Sequence, residues 1–212
     1  MLKYNFNNIS ISYDELLKRL GYIQNKTYLT KKILTLIEDI RLLALKIIHP
    51  KCSLAYANLL KFSKTSIMLD NGYVITSCDV SKLFQHCFKI YGIAVTIGID
   101  LEKKVHDFIV KRELVNAVIL DAAGSVAVEN LIVNIHSQIK HYENINNNLL
   151  TKRYSPGYGD WLLKRNEALL NWIGAREIGI YVNKSYQMLP EKSISAILGV
   201  NKKNMSLSTK RI

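Results

Sequence analysis

The sequence is poor in the residues that cross-link a chain, hold a metal or direct export. Its three cysteines, Cys52, Cys78 and Cys87, are odd in number and share no ligand spacing, which argues against a disulfide framework and a cysteine-held metal. Set in apolar sequence, they are expected as reduced, buried thiols. The five histidines, at 49, 86, 106, 136 and 141, make no ligand pair; His136 and His141 are five apart, which on a helix turns them to different faces. No metal site is expected. Met1-Leu2-Lys3-Tyr4-Asn5 leads into polar sequence without the apolar core of a secretory leader, so a cytoplasmic location is expected. The longest apolar run, Leu114 to Ile135, is broken by Asn116, Asp121, Glu129, Asn130 and Asn134. That is too polar for a membrane span and predicts a buried helix. No internal repeat or low-complexity tract breaks the chain.

What is present is an ordinary globular composition, 49% hydrophobic and 22% charged over 212 residues, with a net charge of +12. One domain spanning 1–212 is expected. The excess charge admits nucleic acid, an acidic protein or plain solvation. The lysines and arginines are scattered and form no stripe interleaved with aromatics, which argues against nucleic acid.

The apolar spacing predicts a mixture of helices and strands. Ser12 starts a helix over Tyr13–Leu20 that Gly21 ends, and Thr30 starts a second, which Pro50 stops. Asp70-Asn71-Gly72 reads as a hairpin turn between two short strands. Ser77 or Asp79 is expected to cap a helix through Ile90, ended by Gly92, before a buried strand over Ile93–Gly98. Asp100 begins a helix towards Lys111, and a long one runs from about Glu113 to Lys140. On it Val118, Ala122, Ser125, Glu129, Ile132 and His136 share one face, so Glu129 is expected to point from a stripe of small and apolar residues. Gly124 in mid-helix costs about 1 kcal/mol relative to Ala, which predicts that something packs unusually close there. Residues 141–150 read as a polar loop, Leu163–Ile173 as a helix ended by Gly174, and Ile178–Val182 and Ser193–Leu198 as strands. The basic residues from 201 to 212 read as a tail.

The densest chemistry lies in Arg153-Tyr154-Ser155-Pro156-Gly157-Tyr158-Gly159-Asp160-Trp161. Pro156 presets φ for the second position of a turn and Gly157 supplies a positive φ at the third, so Ser155 to Tyr158 predicts a type II turn. Gly159 gives a second point where backbone can approach a ligand. Arg153 carries a planar fork of donors matched to a carboxylate or phosphate. Two readings stand at this level: a pocket for a small anion, or a surface turn whose Arg153 pairs with Asp160, itself an apt N-cap for the helix that follows.

This loop resembles the Arg-x-x-x-Gly-Tyr signature of the reactivation domain of vitamin B12-dependent methionine synthase. Three further segments resemble the same family in the same order. They are the Thr-x-Gly strand end in Val95-Thr96-Ile97-Gly98, the small-residue helix from Leu120 to Glu129, and the closing Pro-x-x-Ser-x-Ser strand in Met188 to Gly199. The likeness covers about 91–200, leaving 1–90 as a variable helical and hairpin half.

The resemblance implies an α+β fold, a twisted, mainly antiparallel sheet flanked by helices, with 91–200 as the S-adenosylmethionine-binding half. It implies that Arg153 holds the methionyl carboxylate, that Ser155, Pro156, Gly157 and Gly159 line the ligand, that Tyr158 packs beside the sulfonium or adenosine, and that Glu129 offsets the positive end. It implies no catalytic residue in this chain. The implied activity is that of a methyltransferase component that supports reductive methylation of cob(II)alamin on a partner protein. The cobalamin would be the partner's, since the sequence lacks the Asp-x-His-x-x-Gly cobalt-binding motif. The implied partners are a cobalamin-binding methionine synthase or related corrinoid protein and a flavodoxin-type electron donor, with no nucleic acid and no membrane. The alternative is a degenerate, non-catalytic corrinoid-protein scaffold. Leu162-Leu163-Lys164 departs from the family's Pro-Leu-Glu, and the Tyr pair beyond the closing strand has no counterpart.

Overall fold

Local sequence sets where the helices begin. Ser12 Oγ accepts the Glu15 amide and opens α1, Tyr13–Arg19; Thr30 Oγ1 accepts the Ile33 amide and opens α2, Lys31–Ile47. These contacts come from a computed structural model that describes residues 9–203. Most of the expected basic tail, from residue 204 on, lies outside the described residues. Next come β1 (Lys51–Phe62), β2 (Ser66–Leu69) and β3 (Val74–Thr76), the last two paired about the expected turn. They are followed by α3 (Cys78–Phe84), β4 (Lys89–Thr96), α4 (Asp100–Val110) and the 32-residue α5 (Leu114–Ile145). The remainder is β5 (Asn148–Leu150), α6 (Asn166–Ile173), β6 (Tyr181–Val182), β7 (Met188–Leu189) and β8 (Ser193–Lys202).

Six strands form one sheet in the order β3-β2-β1-β4-β8-β5, and β6 and β7 form a separate pair. β1–β2, β2–β3 and β5–β8 pair antiparallel. The two central pairings follow from bonds at or just beyond the strand ends. Leu59 donates to the Phe88 carbonyl and His49 to that of Ile97, while Phe88 donates to Val200 and Ile97 to Lys192. Partner numbers run in opposite senses, so β1–β4 and β4–β8 are antiparallel as well. The α+β class with an antiparallel sheet and helices is as expected.

Three expectations need correcting. The helix after Ser77 ends at Phe84, not Ile90, and Gly92 sits inside β4. A strand buried on both faces reads as a continuous apolar run, which periodicity cannot tell from a helix. Residues 141–150 are not a loop: α5 continues to Ile145 and β5 follows. Their polar side chains include Glu143 and Asn148, both buried. The strand expected over Ile178–Val182 is a tight 3-10 turn, Ala175–Ile178, and then the two residues of β6.

The chain divides into two compact units, each drawing on both sides of residue 90. Among the described residues, one comprises 9–51, 95–134 and 190–194; the other comprises 52–94, 135–189 and 195–203. In the first, Leu16 of α1, Ile37 and Ile40 of α2, and Leu101 and Phe108 of α4 are buried, as are seven consecutive residues of α5, Ala122–Val128. The close packing expected at Gly124 is with α4: a Cβ there would come 2.7 Å from a Leu101 methyl. By length and composition α5 could cross a membrane, but 67% of its most apolar stretch is buried in the protein, and it is a core helix.

In the second unit, strand residues Ile67, Leu69, Ile75 and Ile90 pack with Val80 and Phe84 of α3, Leu169 and Ile173 of α6, and Trp161. Fully burying one such side chain contributes roughly 1.5–3 kcal/mol. Trp161 is completely buried, so this core anchors one end of the signature loop.

Candidate functional site

The loop from Arg153 to Trp161 lies entirely in the second unit. Its upstream end is fixed to β8, the Tyr154 amide donating to the Ile197 carbonyl at 3.0 Å and the Ile197 amide returning to Tyr154 at 2.8 Å. Between the anchors stands the expected type II turn. Gly157 has φ +98° and the Tyr158 amide donates to the Ser155 carbonyl at 3.3 Å. Pro156 is buried, while Tyr158 is 68% exposed at the tip. The Tyr154 and Trp161 rings stack, centroids 6.3 Å apart.

Much of the loop's hydrogen-bonding capacity is used inside the protein. The Gly157 amide donates to the Trp161 carbonyl at 2.6 Å and the Trp161 amide to that of Tyr158 at 3.0 Å. Gly159, with φ +51°, is expected from sequence to leave bare backbone for a ligand. Instead the Asp79 carboxylate and the Tyr154 hydroxyl occupy the space that a Cβ would take. Asp79 accepts the Asp160 amide at 3.2 Å, and the Tyr154 hydroxyl shares its proton between Asp79 and the Tyr158 carbonyl, both at 3.3 Å.

Asp160 caps a helix, but not the one that follows it. Its carboxylate accepts from the Ser77 hydroxyl, the Cys78 amide at 2.6 Å and the Asp79 amide at 3.3 Å, all at the start of α3. Ser77 Oγ in turn accepts the Val80 amide at 3.0 Å. The Ser77 hydroxyl, and after it the two amides, hold the Asp160 carboxyl below the usual carboxylate range, against the opposing effect of burial.

Arg153 is half-buried. Its charge reaches His136 on α5, whose imidazole is held below its ordinary range by burial first and by Arg153 second, against a backbone hydrogen bond with Thr151. Glu129 belongs to the first unit. It is exposed, contrary to the expected apolar setting, and lines an open cleft of about 400 Å³ with Glu15, Lys18, Arg19 and Asn130. The fully buried stretch of α5 ends at Val128, one residue before it, a change of cover along the helix that a helical repeat does not encode.

The flanking motifs are ordered in their own units. In the first, Thr96 Oγ1 accepts the Gly98 amide at 3.1 Å. Lys192 pairs with Asp121 at 2.6 Å and with Ser125 at 3.0 Å. In the second, Ser195 donates to Asn166 at 2.8 Å.

Two polar arrangements escaped the sequence reading. One is Asp79, which lies 81 residues from the loop amide it accepts. The other is around Glu143, fully buried and bonded to Lys89 at 2.6 Å, Tyr91 at 2.5 Å and Asn148 at 2.7 Å. No local pattern marks either. Of the cysteines, Cys87 is buried and Cys52 half-buried, but Cys78 is exposed, a correction to the expectation of three buried thiols. Its position at the first turn of α3 puts it at the surface.

A solved structure of the MetH reactivation domain bound to AdoHcy has a similar fold. The TM-score is 0.62 over 88% of this chain and 69% of that one, at 13% sequence identity. No protein-family profile matches the sequence. No curated protein matches it.

Proposed function

We propose that this chain binds S-adenosylmethionine and acts as a reactivation component for a cobalamin-binding methionine synthase or related corrinoid protein. One coincidence carries the reading: the fold is similar to that of a reactivation domain solved with AdoHcy, and the Arg153–Tyr158 signature stands on a loop anchored to β8 with Tyr158 open to solvent. AdoHcy differs from S-adenosylmethionine by one methyl and the sulfonium charge, so a pocket for one suits the other.

In this reading Arg153 holds the carboxylate of the ligand and Tyr158 lies against its sulfonium or adenosine, where cation–π attraction is worth roughly 0.5–2 kcal/mol. Ser155, Pro156, Gly157 and Gly159 contribute shape more than donors, because the Gly157 amide is engaged with Trp161. The chain's part is to bind and orient the methyl donor. Cobalamin on the partner, with an electron from a flavodoxin-type donor, supplies the methyl-accepting chemistry. An acidic partner suits the charge distribution: among the described residues the second unit has 13 Lys and Arg against 6 Asp and Glu, a net charge of +7. Association with such a partner should slow as salt rises.

Calorimetric titration with AdoHcy and with S-adenosylmethionine tests the reading. Arg153→Ala should weaken binding by about tenfold or more, the effect of losing a charge-assisted hydrogen bond, with the melting temperature little changed. Glu129→Gln in the same titration tests the remaining assignment separately. Absence of heat at millimolar ligand would refute ligand binding. It would favour the second reading, a corrinoid-protein scaffold, which draws support from the engagement of Gly157 and Gly159 by the protein's own groups.

A further inference from the structure

Bonds within the signature close the turn at Pro156-Gly157, but the stretch through Gly159 takes a further constraint from outside it. Two glycines in four residues, both at positive φ, leave the backbone many alternatives, and the ring of Tyr158 is exposed and does not pin itself. The constraint comes from α3. The Asp79 carboxylate occupies the space beside Gly159 and accepts the Asp160 amide and the Tyr154 hydroxyl at 3.2 and 3.3 Å. Asp160 returns to the Cys78 and Asp79 amides. The loop and the helix start are thus tied in both directions within one unit.

We propose that Asp79 is the positioning residue of this loop: its carboxylate fixes the turn from Tyr158 to Asp160 and so sets the affinity for the adenosylated ligand. The ligand half of the proposal rests on the reading above; the conformational half does not. The chemistry requires an acceptor of this size at position 79. Alanine removes both bonds, while asparagine keeps one acceptor oxygen and should restore part of the effect. Glycine at 159 follows from the same contact, since any side chain there would displace the carboxylate. The cap of α3 is made by Ser77 and Asp160, so removing the Asp79 side chain should leave the helix standing.

The test pairs two measurements on the full chain: amide hydrogen exchange at Gly157 and Trp161, and calorimetric titration with AdoHcy. For Asp79→Ala the expected result is exchange at both amides faster by about tenfold and affinity weaker by about tenfold, the scale of one or two lost hydrogen bonds, with Asp79→Asn between. Exchange unchanged in Asp79→Ala overturns the proposal. Faster exchange with unchanged affinity overturns the positioning role. If the unsubstituted chain takes up no AdoHcy, the ligand reading fails and with it the affinity claim, while the exchange data still decide whether Asp79 fixes the loop.

Discussion

Asp79 and Asp160 hold each other's backbone: the Asp79 amide donates to the Asp160 carboxylate at 3.3 Å and the Asp160 amide to the Asp79 carboxylate at 3.2 Å. This is the reciprocity of a helix capping box made across 81 residues of sequence, and it ties the start of α3 to the signature loop. A consequence follows for acid stability. The Asp160 carboxyl titrates lower in the folded chain than its ordinary value, mainly because of the Ser77 hydroxyl. Its contribution is therefore complete above the unfolded carboxylate range, near pH 4, and is lost as pH falls through the lower folded value. Asp160→Asn should melt below the unsubstituted chain at pH 7, and the gap should close below about pH 4. A gap that stays constant from neutral pH to pH 3 would show that the carboxylate charge is not responsible.

Glu143 makes a sharper case because water cannot compensate for it. Burial raises its carboxyl, but bonds from Lys89, Tyr91 and Asn148 outweigh that effect and leave it below the ordinary value. Lys89 is only 15% exposed along its side chain, so Glu143→Ala strands an ammonium and should destabilise by about 3–5 kcal/mol. Replacing both partners, Lys89→Met with Glu143→Leu, should cost less than Glu143→Ala alone. Urea unfolding of the two variants checks the order. Were the double variant as unstable as the single, loss of packing and not an uncompensated charge would be the cause.

How far the sequence speaks depends on the range of the interaction. The turn at Pro156-Gly157 and the caps at Ser12, Thr30 and Ser77 are legible because each is closed within a few residues, where φ restrictions and side-chain reach decide the outcome. The start of β4 is not legible because an apolar run buried on both faces has no period to read. The polar stretch at 141–150 looks like a loop because its sequence does not show that Glu143 and Asn148 find each other, Lys89 and Tyr91 in the core. Asp79 was legible only as a possible cap; its bond to the loop crosses 81 residues. Helical repeat alone places Glu129 on an apolar face, and the repeat does not register that the consecutively buried run of α5, Ala122–Val128, ends one residue before it.

The cysteines should separate cleanly by reactivity. Burial pushes Cys52 and Cys87 up to about 12, so neither supplies thiolate at neutral pH. Cys78 is exposed, though burial and then the neighbouring Asp160 raise its thiol above the ordinary value. A disulfide reagent at pH 8 should label Cys78 slowly in the native chain and the other two only after unfolding. Asp160→Asn should speed the native reaction. Labelling of Cys52 or Cys87 at a comparable native rate would contradict the packing described.

Two glycines that look alike in sequence should respond differently to a methyl group. At Gly92, inside β4, a Cβ would come within 2.6 Å of the Trp172 ring and 2.9 Å of Ile173. Trp172 is stacked on Tyr73 at 5.0 Å between centroids, so its ring cannot retreat without undoing that contact. Gly92→Ala should therefore destabilise by about 1–3 kcal/mol, the usual range for overpacking. At Gly124 the nearest atom is a Leu101 methyl, 2.7 Å away. That methyl is the end of a side chain able to change rotamer, and alanine in a helix interior gains about 1 kcal/mol over glycine. The two effects oppose, and Gly124→Ala should lie near neutrality. Denaturant unfolding of both variants gives the comparison, and equal losses would mean that the Leu101 contact is as rigid as the Trp172 one.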